Sequence, residues 1–231
     1  MKIRVVSLSV IIFSIVLNLA AQEKEQTIEQ LYLQSAIKTQ IIKAEAVSLD
    51  RDLKKIALEG IEEMIKEGSA ADNPDIVEIL GSLSGEGVTT IIREEGLVVN
   101  DYPEIRREAA RLLGQLGTQE AADKLQTILL TDPEPMVMSE AVLAISLISV
   151  TDTASRDRAL SESIYRQTAV KKDNNFAIAY IEAVEKIIAR EKSIGSLTII
   201  EEVTKIADAR QGYLTKVQQR ALQLLRDLKD F

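Results

Sequence analysis

Cysteine, histidine and tryptophan are absent from the 231-residue chain, and only 3% of its residues are aromatic. Without cysteine no disulfide can form. Without histidine or cysteine, no imidazole or thiolate is available as metal ligand, nucleophile or general base. Positive charge is also short: 28 Lys and Arg stand against 36 Asp and Glu, for a net charge of −8. That balance repels a phosphate backbone and argues against nucleic-acid binding. No Asn-x-Ser/Thr sequon is present either. A chain with this inventory has only side-chain packing to hold it together.

The first residues carry an address. Lys2 and Arg4 precede an apolar stretch from Val5 to Leu19, then Leu19-Ala20-Ala21, then an abrupt change to Gln22-Glu23-Lys24-Glu25. A charged, an apolar and a small-residue segment in that order form the layout of a secretory signal peptide, with cleavage expected after Ala21. The competing reading is an uncleaved anchor helix, at the short limit for crossing a hydrocarbon core. With no cysteine near the cleavage point, a lipid-anchored lipoprotein is excluded. Losing two basic residues with segment 1–21 takes the net charge from −8 to −10. Export without cysteine or sequon favours a bacterial periplasm, so a periplasmic or secreted protein is expected, with no membrane insertion after cleavage.

The rest of the chain has helical periodicity. Ile105, Ala109, Leu112, Leu113 and Leu116 fall on one helix face. Asn100 or Asp101 is expected to cap this helix, Pro103 suits its first turn, and Gly117 stops it. Thr118 opens the next helix, and Asp132-Pro133-Glu134-Pro135 ends that one. The pattern then repeats. Shifted by 32 residues, Pro103 falls on Pro135, Ile105 on Val137, Glu108 on Glu140, Ala109 on Ala141, Leu113 on Ile145 and Leu116 on Ile148. Leu53, Ala57, Ile61 and Met64 match at a shift of 52, and Val217, Ala221, Leu224, Leu225 and Leu228 at a shift of 112. A further copy is expected at 174–190, in a register the sequence leaves open.

Partner helices are expected between these copies: Pro74–Leu83 with Gly87–Glu95, then Thr118–Leu130, Thr153–Ala169 and Ser196–Asp208. The recurring alanine lets helix axes approach closely, and each pair buries its apolar stripe only by stacking on its neighbours. The organisation expected is a signal peptide over 1–21, an N-terminal helical cap over 22–49, and four to five helical hairpins over 50–231. Leu97-Val98-Val99 reads as an extended linker. Met136–Val150, with 11 hydrophobic residues in 15, reads as a buried central helix, being too short to cross a membrane and carrying Glu140.

Asp101-Tyr102-Pro103-Glu104-Ile105-Arg106-Arg107-Glu108-Ala109-Ala110-Arg111-Leu112-Leu113-Gly114-Gln115-Leu116-Gly117, continuing through 132–148, resembles a HEAT repeat of the short bacterial HEAT-like or phycobilisome-lyase type. That family's pattern is Asp-Pro, an aliphatic-Arg pair, then Ala, Leu and Gly at set steps. Arg106 fits the family arginine, while Met138 stands there in the next copy. The resemblance covers 50–231. It implies an all-α fold, a right-handed α-α superhelix of the HEAT/armadillo type, whose surface binds other proteins. It implies no catalytic residue, and no cofactor or metal is expected.

Arg106, Arg107 and Arg111 form the densest basic cluster. Three readings stay open for it: a carboxylate-binding patch for a partner protein, a solvated face with Glu104–Arg107 and Glu108–Arg111 pairs, or an arginine bonding neighbouring repeats. Ser84–Thr90 has glycines but lacks the lysine and spacing of a phosphate loop. Asp72-Asn73-Pro74-Asp75 begins like a calcium loop, but Val77 occupies the position that needs glycine, so a capped turn is expected. The function expected is an exported, non-catalytic scaffold that binds a protein partner, basic by charge complementarity. The alternatives are a lyase-like enzyme working without His or Cys, and a scaffold tethered by an uncleaved N-terminal helix.

Overall fold

The computed structural model describes residues 27–71, 73–193 and 196–230. The expected signal peptide and Asp72 lie outside them. Helix α1 (Ile28–Val47) begins in a first compact unit that ends at Lys38. Its start is a reciprocal cap, in which Gln30 N donates to Thr27 Oγ1 and Thr27 N donates to Gln30 Oε1, each at 3.2 Å.

The second unit, from Thr39 onward, holds the last turns of α1 and everything after. Its helices are α2 (Arg51–Lys66), α3 (Pro74–Ser84), α4 (Pro103–Leu116), α5 (Gln119–Thr131), α6 (Pro135–Ile145), α7 (Thr153–Val170), α8 (Asn174–Glu191), α9 (Leu197–Ala207) and α10 (Thr215–Asp227). They pack as two layers. Helices α2, α4, α6, α8 and α10 each lie against the next in one layer, and α3, α5, α7 and α9 do the same in the other. Four complete pairs are followed by α10, which packs on both α8 and α9. This is an all-α solenoid, the class expected.

Local chemistry explains the boundaries. Asp50, Asn73, Thr118, Asp152, Asp173 and Ser196 each accept a backbone N–H in the first turn of the helix they precede. Pro74, Pro103 and Pro135 occupy first-turn positions, where the missing N–H costs nothing. Gly117 ends α4 at φ +70°, which a Cβ would disfavour. The N-cap of α4 is Tyr102, not Asn100 or Asp101 as the sequence suggested, because both of those side chains are engaged elsewhere.

The helix starts also fix the repeat register. Numbering each first-layer helix from its first residue, the seventh residue is Ala57, Ala109, Ala141, Tyr180 and Ala221 in turn, and all five are buried. The small residue permits close crossing. The approach is close between α4 and α6, where a Cβ on Gly114 would lie 2.7 Å from Ala144 Cβ and 2.9 Å from its Cα. The α6 helix, with Val137, Met138, Ala141, Val142 and Ile145 buried, is the central apolar helix expected. Among the described residues no helix is long and apolar enough to cross a membrane.

One segment departs from the expected pattern. Gly87–Glu95 is not a partner helix. Turns lead into a short antiparallel hairpin, β1 (Arg93–Glu94) with β2 (Leu97–Val98), pairing Arg93 with Val98 and Glu94 with Leu97. Gly87 and Gly96 sit at φ +70° and +85°, and Glu95 at +49°. These conformations break a helix and build a hairpin turn. Asn100 is fully buried and ties the hairpin's root: its side-chain Nδ2 donates to Thr90 O at 2.8 Å, and its Oδ1 accepts from Ile92 N at 2.9 Å.

Candidate protein-binding site

Arg106 is not on the surface. It is the fourth residue of α4, 1% exposed, and its guanidinium is fully engaged. Its Nε donates to Asp132 Oδ2 at 2.7 Å, and its Nη1 donates to Asp101 Oδ1 at 2.5 Å and to Glu86 O at 3.1 Å. Burial opposes its charge, but the bonds to Asp132 and Asp101 outweigh that and hold it above its ordinary pKa. Asp132, on the α5–α6 connector, also accepts from Glu134 N. Arg106 therefore joins the connector before its own repeat to the connector after it. Of the three readings open for the cluster, Arg106 takes the third, an arginine bonding neighbouring repeats, and it is withdrawn from the exposed carboxylate-binding patch.

Lys54 occupies the same position in α2. It too is buried, donating to Ala46 O at 2.8 Å and to Glu86 Oε1 at 2.5 Å. Glu86 Oε2 is buried without a hydrogen-bond partner, and burial raises the Glu86 pKa against the pull of Lys54. Lys54 was recoverable from sequence, since the shift of 52 that aligns Leu53 with Ile105 also aligns Lys54 with Arg106.

Arg107 and Arg111 do reach the surface, among carboxylates. Arg111 pairs with Glu108, as the spacing suggested, and its Nη2 also reaches Glu62 Oε1 on α2 at 2.8 Å. Arg111, then Lys66, hold Glu62 below its usual range. Glu104 does not pair with Arg107; Arg51 approaches it instead, at 3.6 Å. Burial raises the pKa of Glu140 on α6, opposed by Arg107 and Arg111. These charges lie across α2, α4 and α6 and link one repeat to the next.

On the other layer, an open groove of about 890 Å³ runs along α7 and α9. Asp157, Glu162, Glu191, Glu201 and Glu202 line it, with Arg156, Arg158, Arg166, Tyr165, Ser161 and Thr198. Arg156 is buried beneath, bonded to Asp157 at 2.9 Å and bidentate to Glu191. Those bonds, first Arg156 and then Arg190, lower the Glu191 pKa despite partial burial. Arg166 donates to the carbonyls of Leu130, Leu129 and Asp132, closing the end of α5. Lys205 reaches Glu202 Oε1 at 2.6 Å and sits 5.7 Å from the centre of the Tyr165 ring.

Beneath this groove lies Tyr180, the residue that replaces the recurring alanine in the fourth first-layer helix. Its ring is fully buried, and its hydroxyl has only the Ser161 hydroxyl beside it, short of good hydrogen-bond geometry. Burial raises its pKa, and Glu202 and Asp157 add to that, while the nearby Ser161 hydroxyl opposes it. The sequence did not reveal this groove, because its residues come from α7, α9 and the end of α8, which meet only through tertiary packing. Among the described residues, no group of three or more His, Cys, Asp or Glu is placed to hold a metal ion.

Comparison with known proteins agrees with this architecture. The family model for HEAT repeats matches residues 93–170, spanning β1 through α7. That segment, about a third of the chain, is similar to HEAT repeats. The chain is also 29% identical over 124 residues, 53% of its length, to deoxyhypusine hydroxylase of Saccharomyces cerevisiae. The match covers 38% of that relative, so the chain spans well under two thirds of it.

Proposed function

We propose that this protein is an exported, non-catalytic scaffold of the bacterial cell envelope that binds a protein partner through the surface of its stacked repeats. One observation carries the reading. The buried charges of Lys54, Arg106 and Arg156 are spent on the protein's own carboxylates and carbonyls, joining segments distant in the chain. Polar groups used in this way build a rigid surface for recognition. HEAT repeats generally serve protein–protein interaction, which supports the same reading. The acidic balance favours a basic partner, and the layout of residues 1–21 supports export to the periplasm.

Crosslinking in intact cells, followed by mass spectrometry of the recovered neighbours, tests the scaffold. A reproducible envelope-protein partner is the expected result, and recovery of small molecules alone overturns it. Mass analysis of the native N-terminus tests export separately. A chain beginning at Gln22 is expected, and retention of residues 1–21 would replace the released scaffold with a tethered one.

An enzymatic reading draws its support from the likeness to deoxyhypusine hydroxylase. Here it would have to work with Asp, Glu, Tyr, Arg or Lys, since His and Cys are absent.

A further inference from the structure

The β1–β2 hairpin stands clear of the helices and ends in an open edge. Residues 89–97 are exposed throughout, and three of them are large and apolar: Ile91, Ile92 and Leu97, the last 73% exposed. The backbone bonds decide which edge is open. Ile92 turns inward, since its O accepts from Val99 N at 3.0 Å and its N donates to Asn100 Oδ1. Successive residues of an extended strand turn their N–H and C=O to opposite edges. Ile91 and Arg93 therefore direct theirs away from β2, a row of two donors and two acceptors facing out of the hairpin. Such a row beside aliphatic side chains is a template for another strand. A ribbon of two strands is marginal by itself and gains from a third.

The charges beside this edge select what pairs with it. Glu94 and Glu95 make no ion pair among the described residues, whereas Arg93 donates through Nη1 to Gly96 O at 3.0 Å. Glu86, the remaining charge in residues 85–99, is buried against Lys54. Alternation also fixes the faces. Ile92 and Glu94 share one face with Leu97, which lies across from Glu94, while Ile91 and Arg93 share the other with Val98. An antiparallel strand laid on the open edge meets Glu94, Arg93, Ile92 and Ile91 in that order. Opposite charges and aliphatic pairs are favourable directly across a sheet, and like charges are not. The sequence that fits is therefore basic, uncharged polar, aliphatic, aliphatic.

We propose that the outer edge of β1 is a docking site for an extended segment of a partner protein, added as a third, antiparallel strand with a basic residue across Glu94 and aliphatic residues across Ile92 and Ile91. The outward backbone groups of Ile91 and Arg93 hold the strand, and Glu94 sets its register. This deepens the scaffold reading and rests on it for the biological partner.

The full chain titrated with the capped peptide Lys-Thr-Val-Ile-Thr tests the edge, with amide hydrogen exchange followed residue by residue. Saturable binding is expected, with slower exchange at the Ile91 and Arg93 amides, which side-chain contact alone would leave open to water. The reversed peptide Thr-Ile-Val-Thr-Lys, of equal composition and charge, binds more weakly. Ile91→Pro, which removes an outward N–H and no inward bond, weakens binding about tenfold. Glu94→Gln weakens it about two- to fivefold. Thermal melts of both variants report whether the solenoid is intact, and the exchange result on the parent protein stands apart from them. Binding without protection of Ile91 and Arg93, or equal affinity for the two peptides, overturns the site. Protection of the same amides by dimerisation of the chain alone also overturns it and gives the edge to a second copy. The crosslinking result remains independent. A partner crosslinked elsewhere while the edge fails leaves the scaffold standing. An edge that binds the peptide in a protein with no crosslinked partner removes the scaffold and keeps the site.

Discussion

The seam between α2 and α4 and the seam between α6 and α8 use the same repeat position in opposite ways. At the fourth residue of each helix, the first seam has Lys54 and Arg106, both buried and bonded to acids. The second has Met138 and Ala177, both fully buried in the apolar core. At α10 the position returns to polar, with Gln218 donating to Tyr213 O at 2.9 Å. The difference follows the connectors. The long α3–α4 connector places Glu86 and Asp101 beside the seam, and a basic residue is needed to neutralise them. Asp173, before α8, instead spends its carboxylate capping Phe176 N. The two charged positions also differ from each other. Arg106 has each of its acids in place, whereas Lys54 leaves Glu86 Oε2 unbonded. A buried ion pair specifies an arrangement more surely than it stabilises one.

Removing Arg106 should cost most. Arg106→Met leaves Asp132 buried and uncompensated, and urea unfolding should show a loss of about 3–5 kcal/mol. Met138→Leu at the equivalent apolar position should cost less than about 1.5 kcal/mol. Equal losses would abolish the distinction between the seams.

Lys54→Met should come next, at about 2–3 kcal/mol near neutral pH. Its deficit should also depend on pH. The Glu86 pKa is raised above 4.5 in the folded protein by burial, and removing Lys54 raises it further. The native state then holds a proton that the unfolded chain releases, so stability rises as pH falls through the native value toward 4.5. The gap between variant and parent should narrow over that window. A gap constant with pH would show that Glu86 does not take up the proton. Glu191 works in the opposite sense: its pKa is lowered by Arg156 and Arg190, so its contribution is present above about 4.5 and fades as pH falls through the native value.

Gly114→Ala should be smaller, about 1–2 kcal/mol, because the added methyl meets Ala144 backbone on α6. Gly60→Ala meets only the movable side chain of Ile42 at 3.1 Å, and better helix propensity should bring its effect within about 1 kcal/mol of zero. Thermal melts of the two variants side by side would show whether α4–α6 is the tighter crossing. The smallest effect belongs to Arg111→Gln. Its pairs with Glu62 and Glu108 are partly solvated, so its loss should shrink as salt is raised. A salt-independent loss would mean that these charges are more enclosed than they are here.

Much of this was legible in the sequence because one physical signal dominates it. A 3.6-residue period, punctuated by Pro103, Gly117, Thr118 and Pro135, places α4 to α6 almost residue for residue. The segment 85–99 has no such period. Its Val88, Ile91 and Ile92 imitate a helix face, while the positive-φ positions at Gly87, Glu95 and Gly96 decide otherwise. The fourth copy hid because Tyr180 replaces the alanine that marks the others. Exposure was the harder matter. Arg106 and Arg107 are adjacent in sequence, yet one is buried and the other open, since a helix turns about 100° between them. Only the packing of α5 and its connector reveals which arginine meets Asp132. The α7–α9 groove arises from tertiary packing, and a periodic pattern carries no record of what that packing leaves open.

The two ends of the hairpin connector meet at one point. Gly87 lies so close to Asp101 that a Cβ there would come within 2.6 Å of the Asp101 Cα, and Asn100 clasps Thr90 and Ile92 across the same junction. Everything between is a detour that returns to its origin. Evolution, or an engineer, can lengthen, shorten or exchange that excursion as a cassette while the rods on either side keep their spacing.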